Sequence, residues 1–203
     1  MNVSFFYSTF ITQFRIAEFC VEKSNYLTIS LSSVYICQKF SQELAHILQQ
    51  SCTRVVFGNK HEVHALAATF TNEVNEETTV EESVRILMKN STENVMFVTT
   101  CGKDCRIVVG FKGELMSFKH LPSPSAGIVD ATAAGDAFAG GFLANYIAGA
   151  PLERCVVLGF QWAEKIIHQE GCEISKTLDS SLIFCKKENC SFCAKFNPKL
   201  NID

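Results

Sequence analysis

The sequence predicts an α/β fold on a mostly parallel central sheet, and three observations point there. Short β-branched or aromatic runs alternate with longer stretches of helical periodicity, as in successive βαβ units. Of the 203 residues, 47% are hydrophobic, the apolar content that a sheet buried on both faces requires. With only 19% charged residues the chain is too apolar for intrinsic disorder, and its length suits one domain, since domains run from roughly 50 to 250 residues.

The elements follow in order along the chain. Val3 to Tyr7 (VSFFY) reads as a first strand, and Thr9 is a candidate N-cap for a helix carrying Phe14, Ala17, Phe19, Cys20 and Val21. Tyr26 to Leu31 (YLTISL) is a second strand; Phe40, Leu44, Ile47 and Leu48 then recur at amphipathic-helix spacing. Arg54 to Phe57 is strand-like, Gly58-Asn59 is expected to break it, and Val63, Leu66 and Ala67 continue as a helix. The polar, acid-rich stretch from Thr69 to Glu82 predicts a surface connection into a helix with Val84, Leu87 and Met88. Asn94 to Thr100 (NVMFVTT) is a buried strand. Turns at Gly102-Lys103-Asp104 and Lys112-Gly113-Glu114 bracket two strands, Arg106 to Phe111 and Leu115 to Phe118, paired antiparallel, so the sheet is mixed at one end. Leu121 to Gly127 holds two of the four prolines and is expected to be extended loop. A last helix from Leu152 to Gln169 carries the stripe Leu152, Cys155, Val156, Gly159, Ala163, Ile166 and Ile167.

Composition bounds the partners. Eighteen basic against 21 acidic side chains leave a formal net charge of -3, which argues against a nucleic-acid binder, whose affinity rests on concentrated Lys and Arg. A small-molecule partner is expected instead. No uninterrupted apolar run reaches about 18 residues, so no membrane span is expected. Val3 to Ile11 is apolar, but Ser4, Ser8 and Thr9 interrupt it and no basic residue precedes it, unlike a secretory signal. Of the ten cysteines, Cys20, Cys37, Cys52, Cys155 and Cys172 sit singly in apolar or periodic stretches, which predicts buried thiols in a reducing compartment. Cys185, Cys190 and Cys193 in CKKENCSFC lack a nearby fourth ligand, so a Lys-containing tail with reduced thiols is expected rather than a zinc site.

The segment that points to chemistry is Asp130 to Phe142 (DATAAGDAFAGGF). Small residues lead into an apolar stretch that reads as a helix packed on all sides, with Asp136 at or near its first turn. A helix N-terminus offers unpaired N–H groups and a partial positive charge, which suit a phosphate or a developing anion. A carboxylate beside such a hole can take a proton from an attacking hydroxyl. The plain alternative is that Asp136 caps the helix.

This segment is similar to the D-T-x-G-A-G-D signature of the ribokinase-like (PfkB) carbohydrate and nucleoside kinases. The chain resembles the C-terminal part of that family's adenosine kinase branch in features that keep the family's order. They are Phe5-Phe6, Leu27 to Ser32, Phe57-Gly58-Asn59 with Glu62, Thr100 with Gly102-Lys103-Asp104, Asp130 to Leu143, Pro151 to Cys155, and Gly171-Cys172. The resemblance spans roughly residues 3 to 175. It implies a three-layer α/β/α fold, truncated at its N-terminus, over residues 1–175, with a divergent Cys- and Lys-containing tail over 176–203. It also implies an ATP-dependent kinase that phosphorylates the 5′-hydroxyl of adenosine to give AMP in purine salvage. On this resemblance Asp136 is the catalytic base, and Ala133, Ala134 and Gly135 form the anion hole. Asn59, Thr100 and Gly102 meet ATP, and Glu62, with Asn59 in the family's N-x-x-E motif, helps hold Mg2+ through water. For Asn59 and Glu62 the plain alternative is a solvated helix start with Asn as cap.

The sequence also departs from the family pattern. Where the branch has Thr, Asn and Gly, this chain has Ala131, Thr132 and Ala133; if the first anion-hole position needs φ > 0, Ala133 strains the loop by about 1 kcal/mol or more. Phe160, Gln161 and Trp162 replace His-Tyr-Ala on a helix face that borders the adenine pocket in the family. The family's first strands, lid and most nucleoside-holding residues would precede residue 3, so the chain is expected to hold the ATP half of the reaction. A sheet cut there would expose an apolar edge and face that favour association, although the family is monomeric. The implied location is cytoplasmic, with the nucleus as a second one. The competing readings are a non-catalytic remnant that binds nucleotide or another chain, and a related sugar kinase.

Overall fold

The computed structural model describes residues 15–102, 106–119 and 127–171. The chain forms two compact units, Met1–Lys119 and His120–Asp203. The expected strand at Val3 to Tyr7, the turn at Lys103-Asp104, the prolines of the loop after Leu121, and the tail thiols lie outside the described residues.

In the first unit, helix α1 runs through residue 22 with Ala17 and Cys20 buried. Strand β1 (Leu27–Ser30) leads to α2 (Val34–Lys39) and α3 (Ser41–Leu48), then β2 (Thr53–Asn59), α4 (Lys60–Ala67) and α5 (Val80–Lys89). Strands β3 (Met96–Thr100), β4 (Arg106–Phe111) and β5 (Glu114–Lys119) complete it. The sheet order is β1-β2-β3-β4-β5. The first three strands are parallel and the last two pair antiparallel, as the sequence predicts for the mixed end.

One sheet face carries Val56, Phe97 and Val108, packed under α4 and α5 in the main core with Val63, Leu66, Val84 and Leu87. Gly110 belongs to this face, and a Cβ there would lie 2.3 Å from Val84 Cγ1. Val55, Phe57, Met96, Val98, Ile107, Val109 and Phe111 on the opposite face are equally buried, none more than 6% exposed. Among the described residues the outer strands β1 and β5 each pair on one side only.

The helix expected from Phe40 to Leu48 is α3, and an unexpected α2 precedes it: Ser33 caps it by accepting the Ile36 N–H (3.2 Å), and the chain turns at Phe40 (φ -115°, ψ 33°). One local expectation is corrected. Gly58 does not break β2. It pairs with Thr99 inside the ladder, where a Cβ would come 2.8 Å from Leu31 Cδ1. The glycine is there for close approach.

The described part of the second unit holds α6 (Ala134–Ile147) and α7 (Leu152–Ile167). The two helices meet at glycines: a Cβ on Gly141 would fall 2.5 Å from Trp162 Cδ1 and 2.9 Å from the Leu158 carbonyl, and one on Gly159 2.8 Å from the Phe138 ring. Phe138, Phe142 and Asn145 are buried, whereas Gly140, Ala144, Ile147 and Ala148 lie on an exposed stripe. Helix α6 is thus open on one side rather than packed all round.

Candidate active site

Two groups of residues carry the candidate chemistry, one in each unit. In the first, Asn59 and Thr100 end adjacent parallel strands and face each other in the β2–β3 register. The carboxyl ends of parallel strands are where open α/β sheets bind ligands. Gly102, two residues beyond, is exposed at φ +56°, and a Cβ there would meet nothing within 4 Å.

Asn59 also starts α4 with a capping box. Its Oδ1 accepts the N–H groups of His61 (2.9 Å) and Glu62 (3.0 Å). The Asn59 N–H and Nδ2 donate to Glu62 Oε2 (2.9 Å) and Oε1 (2.7 Å). The plain reading of Asn59 as a cap therefore describes the local structure, and the same bonds fix the Glu62 carboxylate beside the strand ends. Glu62 is only 7% exposed. Burial raises its pKa, opposed by the hydrogen bonds from Asn59 and by the nearby His61. The sequence predicted Cys37 as a buried thiol but not as a neighbour of Glu62; it is fully buried, and its thiol is pushed up to about 12 by burial and then by the charge of Glu62. No periodic signal links positions 37 and 62; only the packing of α2 on α4 does.

In the second unit, Asp130 opens the loop before α6. Its Oδ1 accepts the Thr132 N–H (2.8 Å), and the Thr132 hydroxyl, then its N–H, hold the carboxyl below its usual range, with a further contribution from the Gly171 N–H. The Val129 N–H donates to the Ile167 carbonyl (2.8 Å), tying the loop to the end of α7. Ala133 is the N-cap, left-handed at φ 61°, ψ 8°, with no side-chain cap. This is the positive φ that the condition on Ala133 required.

Asp136 is thus the third residue of α6 and not its cap. It is exposed, and its carboxylate accepts no hydrogen bond among the described residues. The Ala134 N–H donates to the Ala131 carbonyl at 3.3 Å, whereas those of Ala133, Gly135 and Asp136 have no acceptor among the described residues. The Asp136 N–H, which sequence reasoning passed over, joins this set because α6 begins at Ala134. The geometry suits an anion at the helix start beside an available carboxylate.

A family model described as pfkB family carbohydrate kinase matches residues 11–178. The chain belongs to the pfkB carbohydrate kinase family. This pfkB chain is 30% identical over 165 residues to adenosine kinase 1 of Arabidopsis thaliana, covering 77% of its own length and 45% of that protein. Over 64 residues it is 47% identical to a cytidine kinase of Thermococcus kodakarensis, covering 32% of this chain and 23% of that one. The adenosine kinase from Schistosoma mansoni in complex with 2-fluoroadenosine superposes with a TM-score of 0.71 at 24% identity, covering 82% of this chain and 49% of that chain. The fold is therefore ribokinase-like. The chain spans about half the length of the curated relatives it matches, 45% in the Arabidopsis case.

A hydrated divalent ion fits the Glu62 region. Each carboxylate oxygen spends one acceptor position on Asn59 and keeps another, and burial leaves this anion with no ion pair among the described residues. No group of three or more His, Cys, Asp or Glu side chains able to hold a metal occurs among the described residues. Mg2+ keeps several waters and shares phosphate oxygens, so a single carboxylate with free acceptor positions is the contribution Glu62 would make.

Proposed function

We propose that this chain carries the phosphate-handling and proton-accepting residues of an ATP-dependent nucleoside kinase, with adenosine as acceptor and AMP as product. The observation that carries this reading is the exposed Asp136 carboxylate, unpartnered among the described residues, on the first turn of a helix at whose start the N–H groups of Ala133, Gly135 and Asp136 lack acceptors there. Asp136 takes the proton of the 5′-hydroxyl while that oxygen bonds to the γ-phosphorus and the bond to the β-phosphate oxygen breaks, releasing ADP. The N–H groups of Ala133, Gly135 and Asp136 meet the charge on the transferring phosphoryl oxygens. Asn59, Thr100 and Gly102 face the nucleotide at the strand ends, and Glu62 is the residue that would hold Mg2+, through water. When bound, Mg2+ neutralises phosphate charge. The Arabidopsis relative supports adenosine as acceptor; the cytidine kinase relative makes cytidine the first competitor to test.

The test is AMP formation from adenosine and Mg2+-ATP by the purified chain and by Asp136→Asn. General-base removal lowers turnover by about 10²–10⁴-fold, while the exposed carboxylate has no hydrogen bond to lose and its removal costs only about 0.3–1 kcal/mol of interaction with the helix N-terminus. If folded wild type and variant are equally active or equally inactive, the reading fails for this chain. Cytidine, ribose and fructose 6-phosphate in the same assay decide the acceptor class; faster transfer to a sugar would overturn the nucleoside assignment.

A further inference from the structure

We propose that Cys20 and Cys52 form a redox-sensitive dithiol that closes to a disulfide under hydroperoxide, locking α1 to the start of β2. Both side chains belong to a small core cluster separate from the main one, with Ala17, Leu27 and Ile47 as its other buried members. Ala17 and Cys20 are three residues apart, so they share one face of α1. The Cys52 Sγ lies 3.7 Å from the Ala17 carbonyl oxygen, against the turn that carries Cys20. The backbones are held together as well: the Asn25 N–H donates to the Cys20 carbonyl and the Leu27 N–H to the Cys52 carbonyl, each at 2.8 Å. Two thiols 32 positions apart in sequence are thereby anchored on one three-residue stretch, Asn25 to Leu27. Both are free thiols. Burial, then the neighbouring Cys52, holds the Cys20 pKa above its ordinary value.

The chemistry balances with peroxide as the named oxidant. Cys20 thiolate attacks one peroxide oxygen, the O–O bond breaks and hydroxide leaves, giving a sulfenic acid. Cys52 sulfur then attacks the sulfenyl sulfur, and the S–O bond breaks with loss of water. In sum two thiols and one H2O2 give one disulfide and two waters. Burial slows the first step by disfavouring the thiolate. It also keeps further oxidant away, so the adjacent thiol resolves the sulfenic acid before it climbs to sulfinic acid. The lock would sit at the start of β2, whose other end carries Asn59, outside the candidate site.

The experiment treats the full chain at pH 8 with hydrogen peroxide or with dithiothreitol, blocks free thiols, digests without reduction and maps linked peptides by mass spectrometry. The expected product joins the Cys20 and Cys52 peptides with the loss of two hydrogens, reverses in dithiothreitol, and disappears in Cys52→Ala. The oxidised chain should melt roughly 5–10 °C higher than the reduced one, as expected when a loop of this length is closed without strain. Unmodified Cys20 and Cys52, links mainly to other cysteines, or sulfinic and sulfonic acids at these positions would overturn the proposal. A Cys20–Cys52 link that lowers the melting temperature would overturn it too, since the bond would then have formed from a non-native arrangement.

Discussion

Replacing Ala133 with glycine should stabilise the chain, against the usual effect of adding a glycine. Ala133 stands at φ 61°, ψ 8°, where the Cβ of an L-residue crowds its own backbone at a cost of roughly 1–2 kcal/mol. Glycine removes that strain but frees the unfolded chain, which takes back about 0.4–1 kcal/mol. The difference leaves Ala133→Gly more stable by about 0.5–1 kcal/mol, or about 1–4 °C in melting temperature for a chain of this size. Ala134, one position on, is the first residue of α6, so deleting its methyl relieves nothing and should cost up to about 1 kcal/mol. The same chemical change therefore has opposite signs at neighbouring residues. Urea unfolding followed by far-ultraviolet circular dichroism reads both midpoints, with unchanged slopes confirming that only stability moved. If Ala133→Gly and Ala134→Gly are destabilising to the same extent, the left-handed cap is refuted, and with it the reason the N–H groups of α6 stand open. Because glycine keeps the backbone N–H, Ala133→Gly should not slow phosphoryl transfer.

Glu62 gives a pH prediction. Its folded pKa is raised from 4.5 chiefly by burial, so the folded chain holds the proton more tightly than the unfolded one; the stabilisation is complete below about 4.5 and is lost as pH rises through the folded value. Urea midpoints of wild type relative to Glu62→Gln should therefore drift against wild type between pH 4 and 7, and an opposite drift would mean the Asn59 donors outweigh burial. Cys37, with its thiol near 12, should resist iodoacetamide in the folded chain at pH 8 and label only after denaturation; native labelling at the rate of a free thiol would contradict its burial. Gly141→Ala drives a Cβ to 2.9 Å from the Leu158 carbonyl and should cost about 1–3 kcal/mol. Gly140→Ala, with nothing within 4 Å, should gain up to about 1 kcal/mol of helix propensity; equal melting temperatures for the two variants would deny the close α6–α7 contact.

What could be read from the sequence was what one turn of chain decides. Asn59 and Glu62 are three residues apart, so cap and carboxylate had to meet whatever the rest of the fold did. Asp136 follows a run of small residues into an apolar stretch, which placed it on a first turn. The substituted position at Ala133 predicted its own strain once φ > 0 was supposed. What escaped was decided by residues distant in sequence. Gly58 has the local signature of a breaker, but Leu31, 27 positions earlier, packs where its side chain would be and keeps it in the strand. The apolar stretch after Asp136 carries no polar contrast, so nothing in it tells the face that meets α7 from the one that does not. That choice is made by Gly141 against Trp162 and Gly159 against Phe138, two contacts that exist only once both helices are present. The orientation of α6, and hence the direction in which Asp136 points, is set by side-chain volumes on α7. For that reason Trp162, which packs on Gly141 well beyond the first turn of α6, is the residue there whose substitution by a smaller one should first disturb the placement of the Asp136 carboxylate.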